Sequence, residues 1–232
     1  VPGSHEPLRA DARRNREQII DAARRLFAQV GPDVPMDEIA RAAGVGVGTL
    51  YRRFPDRDEL IMAVSLDNFT RLADLARHAE ESEPDAAAAL VSLLRSAFEL
   101  RLGTTMNAVS ARAREAVTDA IAVVEQRDLV IAVARRLLGR AQESGAIRPD
   151  IDIGDTLMAL LLMSRFVPPS TDDLGEMVSR RLFALMMDGL RATSGVPLPG
   201  RPVDRQDIEE LRRRGSFAGF GKPDRGDSSA VR

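Results

Sequence analysis

The chain contains no cysteine and no tryptophan, and of its 232 residues only two are histidine. Without thiols it can form no disulfide, no thiolate nucleophile and no cysteine-ligated metal site. That composition suits a reducing compartment, and a cytoplasmic location is the expectation. His5 lies in an opening stretch, Val1-Pro2-Gly3-Ser4-His5, that reads as the remnant of a cloning linker and is set aside. His78 sits in a polar helical segment and reads as a solvated side chain. No metal and no cofactor are therefore expected. No nucleophile is paired with a base in the pattern, so no catalytic residue is nominated and an enzyme is not the expected class. Aromatic residues make up 4% of the chain and Lys222 is its only lysine, so nearly all positive charge is arginine. No apolar run approaches the roughly 20 residues that span a bilayer, and no secretory signal is visible.

What the chain does have is alanine, leucine and arginine in long segments of helical period. This pattern predicts an all-α fold, with a length that suits one large or two small domains. The net charge of −2 conceals an asymmetry. Residues 1–57 hold ten arginines against eight acids, a net of +2, which leaves −4 for the rest. The asymmetry is small, but its sign is that of a DNA-binding head on a neutral body.

Residues 11–30 predict a first helix, with Ile19, Ala22, Ala23, Leu26, Phe27 and Val30 on one apolar face. A second follows Gly31-Pro32-Asp33, with Met36, Ile39, Ala40 and Ala43 as its stripe and Asp37 and Glu38 in the first turn, where the macrodipole favours acids. Gly44-Val45-Gly46 breaks it, and a third, very short helix covers about 47–54. Pro55 ends that one. Asp56 with Glu59 three residues later is a capping-box pattern that starts a fourth helix, carried by Leu60, Ile61, Val64, Leu72, Leu75 and Ala79 to about residue 81. Further helices are predicted from Pro84-Asp85 to about 102, over a short or broken piece in 103–114, from about 115 to 144 with an interruption near 126–128, over 154–166, and from 171–173 to about 193. The tail from Gly195 is rich in glycine and proline, with one short helix at 204–214 capped by Asp204.

A helix as short as the third is unstable alone. At about 100° per residue, Val47, Leu50 and Phe54 fall on one side, to pack on the first two helices. Gly48, Thr49, Arg52 and Arg53 fall opposite, with Tyr51 at the flank. Two helices joined by a tight glycine turn, the second with a polar arginine-bearing face, describe a helix-turn-helix whose second helix enters the major groove. Gly48 lets backbone approach the duplex, arginine can pair with guanine, and Thr49 or Tyr51 can meet phosphate or a thymine methyl. Arg57, in the first turn of the fourth helix, opposes the helix dipole and invites a phosphate. Arg13, Arg14 and Arg16 either reach DNA backbone or minor groove or form an ordinary solvated face.

The stretch IIDAARRLFAQVGPDVPMDEIARAAGVGVGTLYRRFPDRDELIMAV resembles the N-terminal DNA-binding domain of TetR/AcrR-type transcriptional repressors over about residues 12–64. It carries LF-x-x-x-G, then IA-x-x-AGV, then GTLYRRFP-x-R-x-EL. GRAQESGAIRPDID, followed by an apolar helix and ALMMDGLRA, is similar to a common C-terminal type in that family. The resemblance implies a homodimer that binds double-stranded operator DNA through the head and a small-molecule effector in a C-terminal bundle. It divides the chain into 9–56 (DNA-binding domain), 57–194 (ligand-binding and dimerisation domain) and 195–232 (tail). Its DNA contacts fall on Gly48, Thr49, Tyr51, Arg52, Arg53 and Arg57. Pro35 stands where the family often has a capping Ser or Thr, and Val47 where many members have lysine.

In the body, MALLLMSRF at 158–166 is apolar on almost every side, the pattern of a helix buried all round, either in a large core or against a partner subunit. The resemblance places the dimer interface on the last two long helices, which would account for the stripe Leu174, Met177, Val178, Leu182, Leu185 and Met186. It would line the pocket with Phe98, Leu102, Met106, Val109, Met158, Leu162 and Phe166, with Arg101 or Arg165 available to an anionic ligand. The function expected is a ligand-responsive dimeric repressor released from a palindromic operator by a small apolar molecule. The alternatives are a helical small-molecule-binding protein or enzyme with an unused head, and activation rather than repression.

Overall fold

The computed structural model describes residues 5–31, 33–100, 120–166, 173–192 and 196–213. The described chain is helical throughout. The three head helices are α1 (His5–Gln29), α2 (Met36–Ala42) and α3 (Val47–Arg53). The body helices are α4 (Arg57–Ser82), α5 (Ala86–Glu99), α6 (Ile121–Glu143), α7 (Ile153–Phe166) and α8 (Asp173–Leu190), with α9 (Arg205–Arg213) in the tail. The expected segment at 103–114 lies outside the described residues. The first helix already starts at His5, inside the stretch set aside as a linker.

Two separate cores organise the chain. In the head, Ile19, Ala23 and Phe27 of α1 meet Met36, Ile39 and Ala40 of α2, Leu50 of α3 and Phe54. The second core joins α5, α6 and α7 to Phe183 and Met187 of α8. Helix α4 belongs to both: Leu60, Ile61 and Val64 close the head core, and Leu72, Ala73 and Ala76 enter the body core. The predicted capping box is formed, with Asp56 Oδ1 accepting the Glu59 N–H at 2.8 Å. Asp85 likewise accepts the N–H groups of Ala87 and Ala88 at the start of α5, at 2.9 and 3.2 Å. On the flank, Glu80 of α4 and Arg136 of α6 make a two-pronged ion pair at 2.6 and 2.7 Å.

Several sequence expectations need correction. Val30 is 63% exposed, because α1 ends at Gln29 and Val30 no longer follows its wheel. Leu75 is 47% exposed, at the edge of the α4 stripe that buries Leu72 and Ala76. Helix α6 runs through 126–128 without a break: Val123 and Val130, two turns apart, are both buried, so the polar triplet sits on a continuous helix. Within the single chain, helix α7 is not buried all round, so of the two expected settings it is not the interior of a large core. Ile153, Thr156, Leu160 and Ser164 form its buried stripe, while Leu162 is 46% exposed.

Beyond α8 the chain returns across the body. Arg148, itself buried, donates to the carbonyl of Val196 at 2.9 Å, and Asp150 accepts the Leu198 N–H at 2.8 Å. Helix α9 then packs on α7. The expected cap of this short helix is present as a reciprocal pair: Asp207 N–H to Asp204 Oδ1 at 2.9 Å, and Asp204 N–H to Asp207 Oδ2 at 3.0 Å.

Candidate nucleic-acid interface and effector chamber

The turn between α2 and α3 is a Schellman closure: Val45 N–H reaches Ala40 O at 3.0 Å and Gly44 N–H reaches Arg41 O at 3.1 Å. It requires a left-handed residue, and Gly44 has φ +69°. The turn places Gly46 at the head of α3, where its carbonyl accepts the Thr49 N–H at 2.8 Å. Leu50 and Phe54, almost fully buried, then fix the roll of this seven-residue helix. Val47, expected to pack beside them, is instead 43% exposed, because two apolar anchors already fill the shallow groove over α1 and α2. Pro35 makes no side-chain cap at α2, as its chemistry dictates.

The outward surface of α3 carries the nominated residues. A Cβ at Gly48 would meet no atom within 4 Å, so the backbone there is open to a partner. Tyr51, Arg52 and Arg53 are exposed. Arg52 donates to Thr49 Oγ1 at 2.9 Å, which holds both side chains along one edge of the helix. Arg57 is placed differently: its Nη1 donates to the carbonyl of Val34 at 2.7 Å and ties the α1–α2 connection to α4. In the N-terminal arginine run, Arg16 lies 5.4 Å above the Phe54 ring and Arg13 pairs with Glu17 at 3.4 Å, so both serve the head's own surface.

The body holds an apolar chamber of about 270 Å³ that is about half open to solvent. Its walls are Phe69 and Leu72 from α4, Leu93, Leu94 and Ala97 from α5, Val130, Ile131 and Ala134 from α6, Leu157, Met158, Leu160 and Leu161 from α7, and Ile208 from α9. The polar groups on the wall are Arg127 and Ser164. Arg127 Nε rests 3.4 Å from Asp128 Oδ1. A larger groove, about 630 Å³, runs between α5 and α8, but Asp85, Arg95, Asp188 and Arg191 line it.

Residues 19–64 match the family described as bacterial regulatory proteins, tetR family. Residues 85–192 match the C-terminal domain of SbtR-like transcriptional regulators. A TetR transcriptional regulator of Streptomyces coelicolor, known from its crystal structure, is 31% identical, with 77% of this chain and 99% of that one covered and a TM-score of 0.55. The chain belongs to the TetR family of bacterial transcriptional regulators. A TetR regulatory protein of Mycobacterium vanbaalenii is 35% identical over 80% of this chain and 99% of its own, with a TM-score of 0.49. A helix-turn-helix-type regulator of Staphylococcus aureus is 43% identical over 54 residues, which is 23% of this chain. The chain thus spans only 29% of the length of that curated relative.

Within this TetR-family chain, the structure brings Gly48, Thr49, Tyr51, Arg52 and Arg53 together on one face and turns Arg57 toward Val34. The nominated pocket fares differently. Met158 lines the chamber. Phe98 does not: its ring stacks on Phe183 at 5.8 Å inside the core, which two facing aromatics on α5 and α8 favour. Leu162 points away from the chamber into solvent. Leu102, Met106, Val109 and Arg101 lie outside the described residues, as do the side chains of Phe166 and Arg165. Sequence reasoning missed Phe69, Arg127 and Ile208. The signals were a phenylalanine on the α4 face shared by Leu72, Ala73 and Ala76, a lone arginine between apolar turns of α6, and an isoleucine in a tail otherwise dominated by polar residues.

Proposed function

We propose that this regulator is a ligand-responsive homodimeric repressor. The reading divides the chain into a DNA-binding head (9–56), a ligand-binding and dimerisation body (57–194) and a tail (195–232). Paired α3 helices would read successive major grooves of a palindromic operator, about 34–36 Å apart, through Gly48, Thr49, Tyr51, Arg52 and Arg53. The dimer is supported by the exposed row Leu174, Val178, Leu182 and Leu185 on α8, an apolar surface too continuous for scattered solvent-facing residues. The chamber would take a small, mainly apolar effector with one polar or anionic group near Arg127 and Ser164. An apolar cavity of roughly 150 Å³ accepts a benzene-sized guest, so this one has room for something larger.

The observation that carries the response is the double membership of α4. Phe69 and Leu72 face the chamber, and Ile61 and Val64 sit in the head core. Ile61 and Phe69 are about 12 Å apart along the helix axis. A guest that displaces the middle of this helix moves the head with it and changes the separation of the two α3 helices. A 100-fold loss of operator affinity requires about 2.7 kcal/mol of coupling, and operator must weaken effector binding by the same factor. The test is anisotropy of labelled DNA from the protein's own promoter region, titrated with and without hydrophobic compounds that raise its melting temperature. Specific binding relieved by a compound is expected. Equal affinity for promoter and random DNA would overturn the regulatory reading.

A further inference from the structure

We propose that the C-terminal segment 196–211 is a gate of this half-open chamber, a movable wall whose lifting widens the way in for the guest. This rests on reading the chamber as the effector site, and it concerns residues beyond the stretch, 85–192, that matches the family's C-terminal domain. Four helices of the body supply all of the described wall except one residue, Ile208 of α9. The segment is docked without a core of its own. Val203 N–H donates to Asp155 Oδ2 at 3.1 Å, and Arg205 pairs with Asp128 at 2.8 Å, next to Arg127 on the chamber wall. With the Leu198 anchor these are polar contacts near the surface, and such pairs hold weakly; the buried Arg148 on the carbonyl of Val196 is the firmer hold and stays at the foot of the segment. The four body helices are joined by buried apolar packing. Opening the chamber between body helices would expose that core, whereas lifting the segment breaks a few solvent-competed contacts and uncovers Ile208. Local opening follows the less stable element.

The fit at Gly154 makes the gate addressable from the body side. A Cβ there would lie 2.1 Å from the carbonyl oxygen of Val203, so the tail backbone crosses α7 only because residue 154 has no side chain. Gly154→Val should push the segment off without altering a chamber residue. Ile208→Asp should expel it from the other side, by placing a carboxylate against an apolar wall.

The absence of cysteine supplies the assay. In an Ala134→Cys chain the new thiol is the only one, on a chamber residue that is 2% exposed. Its reaction rate with 5,5′-dithiobis(2-nitrobenzoate) reads access to the chamber directly. Rates at least tenfold higher in Gly154→Val and in Ile208→Asp, with helical content retained, are expected. Either variant alone suffices if the other does not fold. Rates within twofold of the parent in the folded variants would overturn the gate. A parallel measurement with 1-anilinonaphthalene-8-sulfonate separates the two readings. If the thiol is unmasked but no variant takes up this probe, the gate stands and the effector reading loses its support. If the parent takes up the probe and the thiol rate does not change, the effector reading stands and the gate is refuted.

Discussion

Replacing Arg57 with alanine should destabilise the head rather than merely remove a DNA contact. At the first position of α4 a cation opposes the helix dipole, which costs about 0.3–1 kcal/mol. The hydrogen bond from Nη1 to the carbonyl of Val34, 2.7 Å long and on a buried residue, is charge-assisted, a class that contributes about 1.5–3 kcal/mol. The second effect exceeds the first, so Arg57→Ala should cost roughly 1–2.5 kcal/mol net. In a chain of this size each kcal/mol lowers the melting temperature by about 2–4 °C, which gives a drop of about 2–10 °C by circular dichroism or calorimetry. Arg57→Lys should recover part of it, since a lysine retains the charge and a donor but not the planar fork. DNA binding measured well below the melt tests the phosphate role separately, as a salt slope lower by about one unit. If Arg57→Ala melts with the parent and loses affinity for all DNA equally, the Val34 bond contributes nothing and the argument from geometry fails.

Arg53→Ala should lose roughly 1–3 kcal/mol of discrimination between operator and random DNA, measured at constant salt; equal loss on both would remove Arg53 from base reading. Leu182→Asp with Leu185→Asp should convert dimer to monomer by light scattering at micromolar concentration, and an unchanged mass would place the interface elsewhere. The tail should stay docked in mild acid. Arg148 with the Leu198 N–H holds Asp150, the body's acceptor for the tail, well below the usual carboxylate range, and within the tail Arg201 and the Asp204 N–H hold the Asp207 carboxyl that caps α9 down to about 2. Both folded values are depressed, so what these groups contribute is complete above the unfolded value near 4 and is lost only as pH falls through the lower folded values. A fluorophore on Gln206→Cys should therefore report a docked segment at about pH 5 and release below about pH 3; release at about pH 5 would refute this.

The head was legible in the sequence because local chemistry determines it. Gly44 must be left-handed, Pro55 must end α3, and Asp56 with Glu59 must begin α4, and each acts within a few residues of itself. The wheel of α3 erred only at Val47, where a seven-residue helix has room for two anchors and not three. The body was less legible. Its helices were all signalled by period and caps, but which apolar residue faces a cavity depends on how four helices roll against one another. Phe98 and Leu93 lie on the same helix and are both buried, yet only Leu93 also lines the chamber, while Phe98 stacks on Phe183. Ile208 was hidden for a different reason. Its contact depends on a chain reversal fixed by Arg148, Asp150 and Gly154, about fifty residues upstream, and no local pattern carries that pairing.

The two cores meet along α4 through a polar interval, and this bears on how a signal could pass. Val64 closes one core and Leu72 opens the other, while Ser65 and Asn68 between them are buried and polar. Asn68 donates to the carbonyl of Leu100, at the end of α5, at 3.3 Å, and at the adjacent position Arg24 of α1 reaches Asp67 at 3.7 Å. The interval is thus held by directional contacts to one element of each half rather than by close apolar packing. Apolar cores resist small shifts, because interiors are dense and side chains interlock. A long hydrogen bond and a partly solvated ion pair tolerate them at smaller cost. Head and body can therefore keep their own packing while α4 changes its angle between them. A guest would alter that angle only if the chamber fits it better in one orientation of Phe69 and Leu72 than in the other, since equal affinity for both states shifts nothing. On that reading Phe69 and Leu72 would share in the guest's selectivity, with Arg127 and Ser164, and would also carry its effect on DNA.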